Sequence, residues 1–397
     1  MKKMATDKLR VVFSLLTILL LCFCPSVYGG ETLPSGVERV HVHCVWDNDM
    51  NMIVDEGANA GQSIKIAVID TGIWFWTDAQ ENPHYHEDLA DNVDQVIAFR
   101  QRGGYVEPVD PVSDLDDYGH GTHVAGIIAA VDNAIGVIGN APKASLTIIQ
   151  IRGFQPLEAA TAINWSVQHN IDIVSISLEF PQDPDDCLRV ACENAYNNGL
   201  LLVACAGNQN NNSLTYPAAY ECVVAVGAVY DNGSRWEYSN YCDDLDFMGP
   251  GVDINSTGLN NGYAVLTGTS MACPHVTAAA ALVLASKTDP DYCYDGDNST
   301  WNYDELYDKL RDTALYLGSS YYYGNGLINP WWATQRPSGD INNDLLVEGS
   351  DLILACRAYG CQPEDENWDP RADIDIDNVV SGDDLIIISS NYGEEDP

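Results

Sequence analysis

Basic side chains are scarce in this sequence. Eighteen Lys and Arg stand against 58 Asp and Glu in 397 residues, a formal charge of −40. A field of that sign repels phosphates and anionic headgroups, which makes nucleic acid and anionic membrane surfaces poor partners and leaves divalent cations as better ones. Charged residues make up only 19% and apolar ones 46%, so the chain can fold and is not a disordered acidic tail. Long apolar runs are scarce too. The clear one, residues 11–24, follows Lys2, Lys3, Lys8 and Arg10 and precedes Val27 and Gly29. It is too short for a comfortable membrane span. It reads as a signal peptide over 1–29, cut near Gly29–Gly30. The mature chain is then expected to be a monomer, secreted or at the cell surface, and not membrane-spanning.

Cysteine is present in number. Of 12, Cys22 and Cys24 leave with the signal. An even remainder in an exported chain permits disulfides without showing which form. Cys187 and Cys192, and likewise Cys356 and Cys361, are spaced to close a short loop. Cys205 and Cys273 lie in apolar surroundings that suit buried free thiols equally well.

From about residue 63 to 327 the pattern alternates strand and helix. Apolar runs at 65–70, 145–151, 171–178, 200–206 and 222–229 read as strands, and 123–131, 157–169 and 270–286 as helices. Continuous apolar strands between helices predict an α/β fold with a mostly parallel sheet covered on both faces. Ligands of such sheets bind at the carboxyl ends of the strands. At Gln335-Arg336-Pro337-Ser338-Gly339 the composition changes, which sets a linker over 335–339 between a domain at 30–334 and a module at 340–397. The module repeats itself. Asp340-x-Asn342-x-Asp344 returns as Asp373-x-Asp375-x-Asp377, Asp351-Leu-Ile as Asp384-Leu-Ile, and Tyr359-Gly360 as Tyr392-Gly393. One unit has been duplicated. Acidic groups alternating along an extended loop converge on one cation. The candidate ligands at loop positions 1, 3, 5 and 12 are therefore Asp340, Asn342, Asp344, Asp351 and Asp373, Asp375, Asp377, Asp384.

Three segments set a reactive side chain beside small residues: Asp70-Thr71-Gly72, Gly119-His120-Gly121-Thr122-His123-Val124-Ala125-Gly126, and Gly268-Thr269-Ser270-Met271-Ala272. Each has an ordinary reading by itself. Asp commonly ends a strand, His can be structural, and Ser caps helices. Together they supply what serine attack on a carbonyl needs: a nucleophile, a base to take its proton, and a carboxylate to hold that base. Val203-Ala204-Cys205-Ala206-Gly207-Asn208 ends a strand on a side-chain amide that can donate to an oxyanion.

These four motifs, in this order, resemble the subtilisin-like serine proteases over roughly residues 36–333. The resemblance implies a subtilisin-like three-layer fold and hydrolysis of protein or peptide substrates. Asp70 would orient, His120 act as general base and acid, Ser270 attack, and Asn208 donate to the oxyanion. His123 and His275 read as structural. The resemblance also implies a calcium site in Val131-Asp-Asn133-Ala-Ile135-Gly-Val137, with Asp88, the Asn133 side chain and the carbonyls of Val131, Ile135 and Val137 as ligands.

Some features depart from that family. Ser177-Leu178-Glu179 stands where Ser-Leu-Gly is usual, and the glutamate either favours basic substrate side chains or points to solvent. The stretch between Ile151 and Trp165 is short. Residues 30–63 are too few for an inhibitory pro-segment plus a mature N-terminus, which leads to the expectation that folding depends on calcium. The tail is similar to the duplicated calcium loops of dockerin modules, small all-α, EF-hand-like units that dock onto cohesin domains. It has Leu345 and Asn378 where glycine is expected. The resemblances together imply a secreted serine endopeptidase tethered to a cohesin-like extracellular partner. The same residues leave two alternatives: a silent extracellular scaffold, and a peptide ligase or cyclase working through the same acyl-enzyme.

Overall fold

A computed structural model describes residues 31–47, 51, 53–111, 119–184, 186–286, 301–334, 349–362, 372 and 379–390. Eight strands make one sheet: β1 Lys65–Asp70, β2 Val93–Arg102, β3 Tyr105–Val109, β4 Ser145–Ile151, β5 Ile173–Ile176, β6 Leu201–Cys205, β7 Val224–Val229 and β8 Phe247–Pro250. Their spatial order is β8-β7-β6-β5-β1-β4-β2-β3. Only the β2–β3 hairpin is antiparallel; the other pairs are parallel. In β1 every residue after Lys65 is buried, as are all of β5, β6 and β7. Strands of that kind need helices on both faces.

Helices α1 His120–Ala129, α2 Pro156–Gln168, α3 Asp186–Asn197, α4 Thr269–Ala285 and α5 Tyr303–Asp312 supply them. α1 packs with α4, which also lies against β5 to β8, while α2 packs with α3 over β4 and β6. Strands β2 to β4 lie on one side of β1 and β5 to β8 on the other. The order therefore reverses at β1, and the crevice expected of such sheets opens at its carboxyl end, beside Asp70.

Helix α3 and the β2–β3 hairpin were not among the expected elements. α3 buries Leu188, Ala191, Cys192 and Ala195, a stripe at helical spacing. The hairpin lies at the sheet edge, where Val93–Arg102 carries exposed polar residues. The cysteine spacings also resolve differently. Cys187, Cys192, Cys356 and Cys361 are all free thiols. Cys187 and Cys192 share helix α3, where five residues turn the chain to about 140° around the axis, so their side chains diverge.

In the repeated tail, α6 Gly349–Ala358 and α7 Gly382–Ser390 pack together. A small second core gathers Ala355, Ala358, Ala372, Val380 and Ile388. Between the helices the Gly360 N–H donates to Val380 O at 2.7 Å, and the Val380 N–H to Cys361 O at 3.2 Å. The expected loop ligands Asp340, Asn342, Asp344, Asp373, Asp375 and Asp377 lie outside the described residues.

Candidate active site

β1 delivers Asp70 to the crevice. Its Oδ1 accepts from the Thr71 N–H at 2.7 Å, from Thr71 Oγ1 at 3.1 Å and from His120 Nδ1 at 2.7 Å. Asp70 is fully buried, while the His120 side chain keeps 29% of its surface exposed. With Nδ1–H donating to a carboxylate, Nε2 is the ring nitrogen that can take a proton. The glycines around His120 follow from the closeness of the two segments. A Cβ on Gly121 would stand 2.1 Å from the Gly72 carbonyl, and Gly119 turns into the helix at φ +68°. The Gly121 N–H then donates to Thr71 Oγ1 at 2.8 Å, joining β1 to α1.

α4 delivers Ser270. Every residue from Thr269 to Val283 is buried except Ser270, so this serine is the point where a buried helix reaches the surface. Its hydroxyl donates to Ser177 O at 3.3 Å. Asn208, just beyond β6, has its oxygen held: Oδ1 accepts from both the N–H and the hydroxyl of Thr269 at 2.9 Å. That fixes the amide orientation and leaves Nδ2 as the outward donor. A Cβ on Gly268 would lie 3.7 Å from the Ser270 nitrogen and 3.8 Å from Asn208 Nδ2. Two N–H donors thus flank one small space, and Ser270 N–H belongs to the first helical turn, where donors have no partner within the helix.

Ser177 and Thr269 were not singled out from sequence, yet both hold this geometry. Pro274 sits four residues after Ser270 and has no N–H to return to the Ser270 carbonyl. The Ser177 hydroxyl takes that place, donating to Ser270 O at 2.9 Å.

The other two histidines of these motifs are buried in the core. His123 Nε2–H lies 3.0 Å from the carbonyls of Ile254 and Ala264, and burial pushes its pKa down to about 3. His275 Nδ1–H donates to Met271 O at 2.9 Å, and burial takes its pKa to about 4. Both are structural. Glu179 is half-buried, with its carboxylate bound by Gln209 and Thr215.

At the expected calcium loop, Asp88 is fully buried. Its Oδ2 accepts from the Val137 N–H at 3.0 Å and from Tyr263 OH at 2.8 Å, while Oδ1 has no hydrogen-bond partner. Asn133 Oδ1 accepts from the Ile135 N–H at 3.0 Å. Glu31, not foreseen from sequence, comes alongside: it accepts from the Asn133 N–H at 3.1 Å, and the Thr32 N–H donates to Gly136 O at 2.8 Å. Burial, with Asp132 and Asp88 near, pushes the Glu31 carboxyl up to about 7. Among the described residues no group of three or more His, Cys, Asp or Glu side chains is placed to share a metal. One buried carboxylate oxygen lacking a hydrogen-bond partner suits a hard oxygen-seeking ion such as Ca²⁺. In the tail Asp351 and Asp384 are buried at the starts of α6 and α7, and Asp384 Oδ2 accepts from the Ser381 N–H at 2.6 Å.

Residues 61–326 match the subtilase family. The chain is 35% identical over 310 residues to subtilisin BL of Lederbergia lenta, an alignment covering 77% of this chain and 100% of the relative. It is 38% identical over 283 residues to subtilisin E of Bacillus subtilis, covering 69% of this chain and 66% of the relative. An alkaline protease of Shouchella clausii is 35% identical over 310 residues, 77% of this chain and 71% of its own. Among the described residues no helix is long and apolar enough to cross a membrane.

Proposed function

This chain belongs to the subtilase family and is a subtilisin-like serine endopeptidase, and from that premise we propose that Ser270, His120 and Asp70 carry out its chemistry. The observation that carries this reading is the 2.7 Å bond from His120 Nδ1 to the buried Asp70, together with Ser270 being the one residue from Thr269 to Val283 that is not buried. Ser270 Oγ attacks the peptide carbonyl and its proton passes to His120 Nε2. Asp70 holds the ring with its proton on Nδ1 and stabilises the imidazolium that forms. The tetrahedral oxyanion accepts from the Ser270 N–H and Asn208 Nδ2. His120 then protonates the leaving amine, and water, deprotonated by the same ring, hydrolyses the acyl-enzyme.

The chain is read as an exported enzyme, its signal over 1–29 supplying the route. Calcium is its structural cofactor. Asp88, Asn133 and the carbonyls of Val131, Ile135 and Val137 would hold one ion, with Glu31 beside them. The unpartnered Asp88 Oδ1 supports this. The ion would neutralise buried carboxylate charge and take no part in the chemistry.

The tail is read as a dockerin-like pair of calcium loops, Asp340, Asn342, Asp344, Asp351 and Asp373, Asp375, Asp377, Asp384, that tethers the enzyme to a cohesin-like extracellular partner. Its support is a duplicated surface. Ile353 is 55% and Ile386 63% exposed, at the same 33-residue offset as the loops, with Tyr359 exposed nearby. Apolar side chains held outward on two packed helices mark an interaction face.

The test is hydrolysis of an unfolded protein by the mature chain, with and without calcium, beside Ser270→Ala. Cleavage that needs calcium and vanishes in the variant is expected. Equal, negligible turnover in both, from folded protein, would overturn the assignment. Product mass separates hydrolysis from ligation, since ligation adds no water.

A further inference from the structure

The substrate preference of this site is open, and one carboxylate stands next to it. Glu179 lies two residues beyond Ser177, whose carbonyl and hydroxyl both contact Ser270. Its Oε1 accepts from Gln209 Nε2 at 2.6 Å and its Oε2 from Thr215 Oγ1 at 3.5 Å. The oxyanion donor and Glu179 are thus linked through Gln209, the residue that follows Asn208. The Gln209 amide is oriented from both ends, because its Oε1 accepts from the buried Asn240 Nδ2 at 2.9 Å. Its NH₂ therefore points at Glu179, which is built to be an acceptor.

Both donors are neutral, and among the described residues no Lys, Arg or His forms an ion pair with Glu179. A half-buried carboxylate without a counter-charge is an unfavourable arrangement that a cation relieves. Burial already pushes its pKa up. When a peptide carbonyl sits between the Ser270 N–H and Asn208 Nδ2, the side chain of that same residue branches from the next carbon, and Gln209, which follows Asn208 in the chain, is the residue that holds Glu179. We propose that Glu179 is a specificity-determining residue, selecting substrates with a lysine or arginine at the residue whose carbonyl Ser270 attacks. The proposal rests on the endopeptidase reading of the site. It also decides between the two roles the sequence left open for this glutamate, since a carboxylate bound by Gln209 and Thr215 does not simply point to solvent.

The experiment compares quenched peptides identical except for lysine, norleucine or glutamate at that residue, with the cleaved bond confirmed by mass. Rates are normalised to Ser270 titrated with a sulfonyl fluoride. Lysine exceeds norleucine in kcat/KM by about tenfold or more, the worth of one charge-assisted contact, and glutamate is the poorest. In Glu179→Gln the lysine-to-norleucine ratio falls to near one. The wild-type comparison needs no variant, so misfolding of Glu179→Gln does not rescue the idea. Hydrolysis without a lysine preference, or a preference kept in Glu179→Gln, overturns this inference alone. No hydrolysis and no sulfonylation of Ser270 overturns the endopeptidase reading and this inference with it.

Discussion

The Ser177 hydroxyl donates to the main-chain carbonyl of Ser270 at 2.9 Å, standing in for the N–H that Pro274 lacks. A helix interior normally satisfies each carbonyl four residues on, and proline forfeits that bond. Here the gap lies under the nucleophile. Ser177→Ala should therefore leave a buried carbonyl without its donor and cost about 1–3 kcal/mol. Pro274→Ala restores an N–H, so the same serine change should cost less in that background. Urea unfolding in a Ser270→Ala background, free of autolysis, measures both. Equal costs in the two backgrounds would falsify the relationship.

Asn208 has a different kind of dependence, because its oxygen is spent on Thr269. Asn208→Leu should lower kcat by about 10²–10³-fold with little change in KM, the size measured for the same kind of donor in a subtilisin. Thr269→Val removes one of the two donors that hold the amide but keeps the main-chain one. Its loss in kcat should be smaller, about tenfold. Steady-state kinetics on one peptide rank the two. A Thr269→Val defect as large as that of Asn208→Leu would mean that Thr269 does more than position the amide.

Much of this site was legible because its chemistry sits on local patterns. Lys65–Asp70 is a continuous apolar run, so it had to be a buried strand, and its last residue had to emerge at the carboxyl edge. Helix α1 begins at His120, three residues earlier than its apolar pattern suggested, because left-handed Gly119 starts it there. Ser177, Thr269 and Glu31 left no such trace. Each acts across 61 or more residues, and only the packed fold brings the partners together. Helix α3 was legible in principle from Leu188, Ala191, Cys192 and Ala195.

Calcium should stabilise the fold through Asp88. Its buried Oδ1 has no partner, so removal of the ion leaves an uncompensated carboxylate against the loop that also receives Thr32. In the Ser270→Ala background the unfolding temperature should rise with calcium. The stabilisation should reach about 2.7 kcal/mol at a hundredfold excess over Kd. Asp88→Asn should flatten most of that titration, and deletion of 340–397 should leave the Asp88-dependent part in place. A titration unaltered by Asp88→Asn would assign the ion to the tail alone.

Acid should destabilise the folded enzyme through histidines that do not touch substrate. Burial holds His41 and His123 down to about 3 and His275 to about 4, against 6.5 for the free group. Below pH 6.5 the unfolded chain therefore binds protons that the folded chain refuses. Their contribution is complete above 6.5 and is lost as pH falls, by about 1.4 kcal/mol per unit for each histidine until its folded value is reached. Asp246 works in the other direction, since burial raises its carboxyl to about 6 and the folded state takes that proton first. The net curve therefore mixes signs, and a difference between variants isolates one group. His275→Gln should reduce the slope of unfolding free energy against pH between about 4 and 6 by about 1.4 kcal/mol per unit. The variant loses stability overall, because a buried ring is replaced, but its slope is the readout. An unchanged slope, measured by urea unfolding at saturating calcium, would show that His275 titrates in the folded state as it does in the unfolded one.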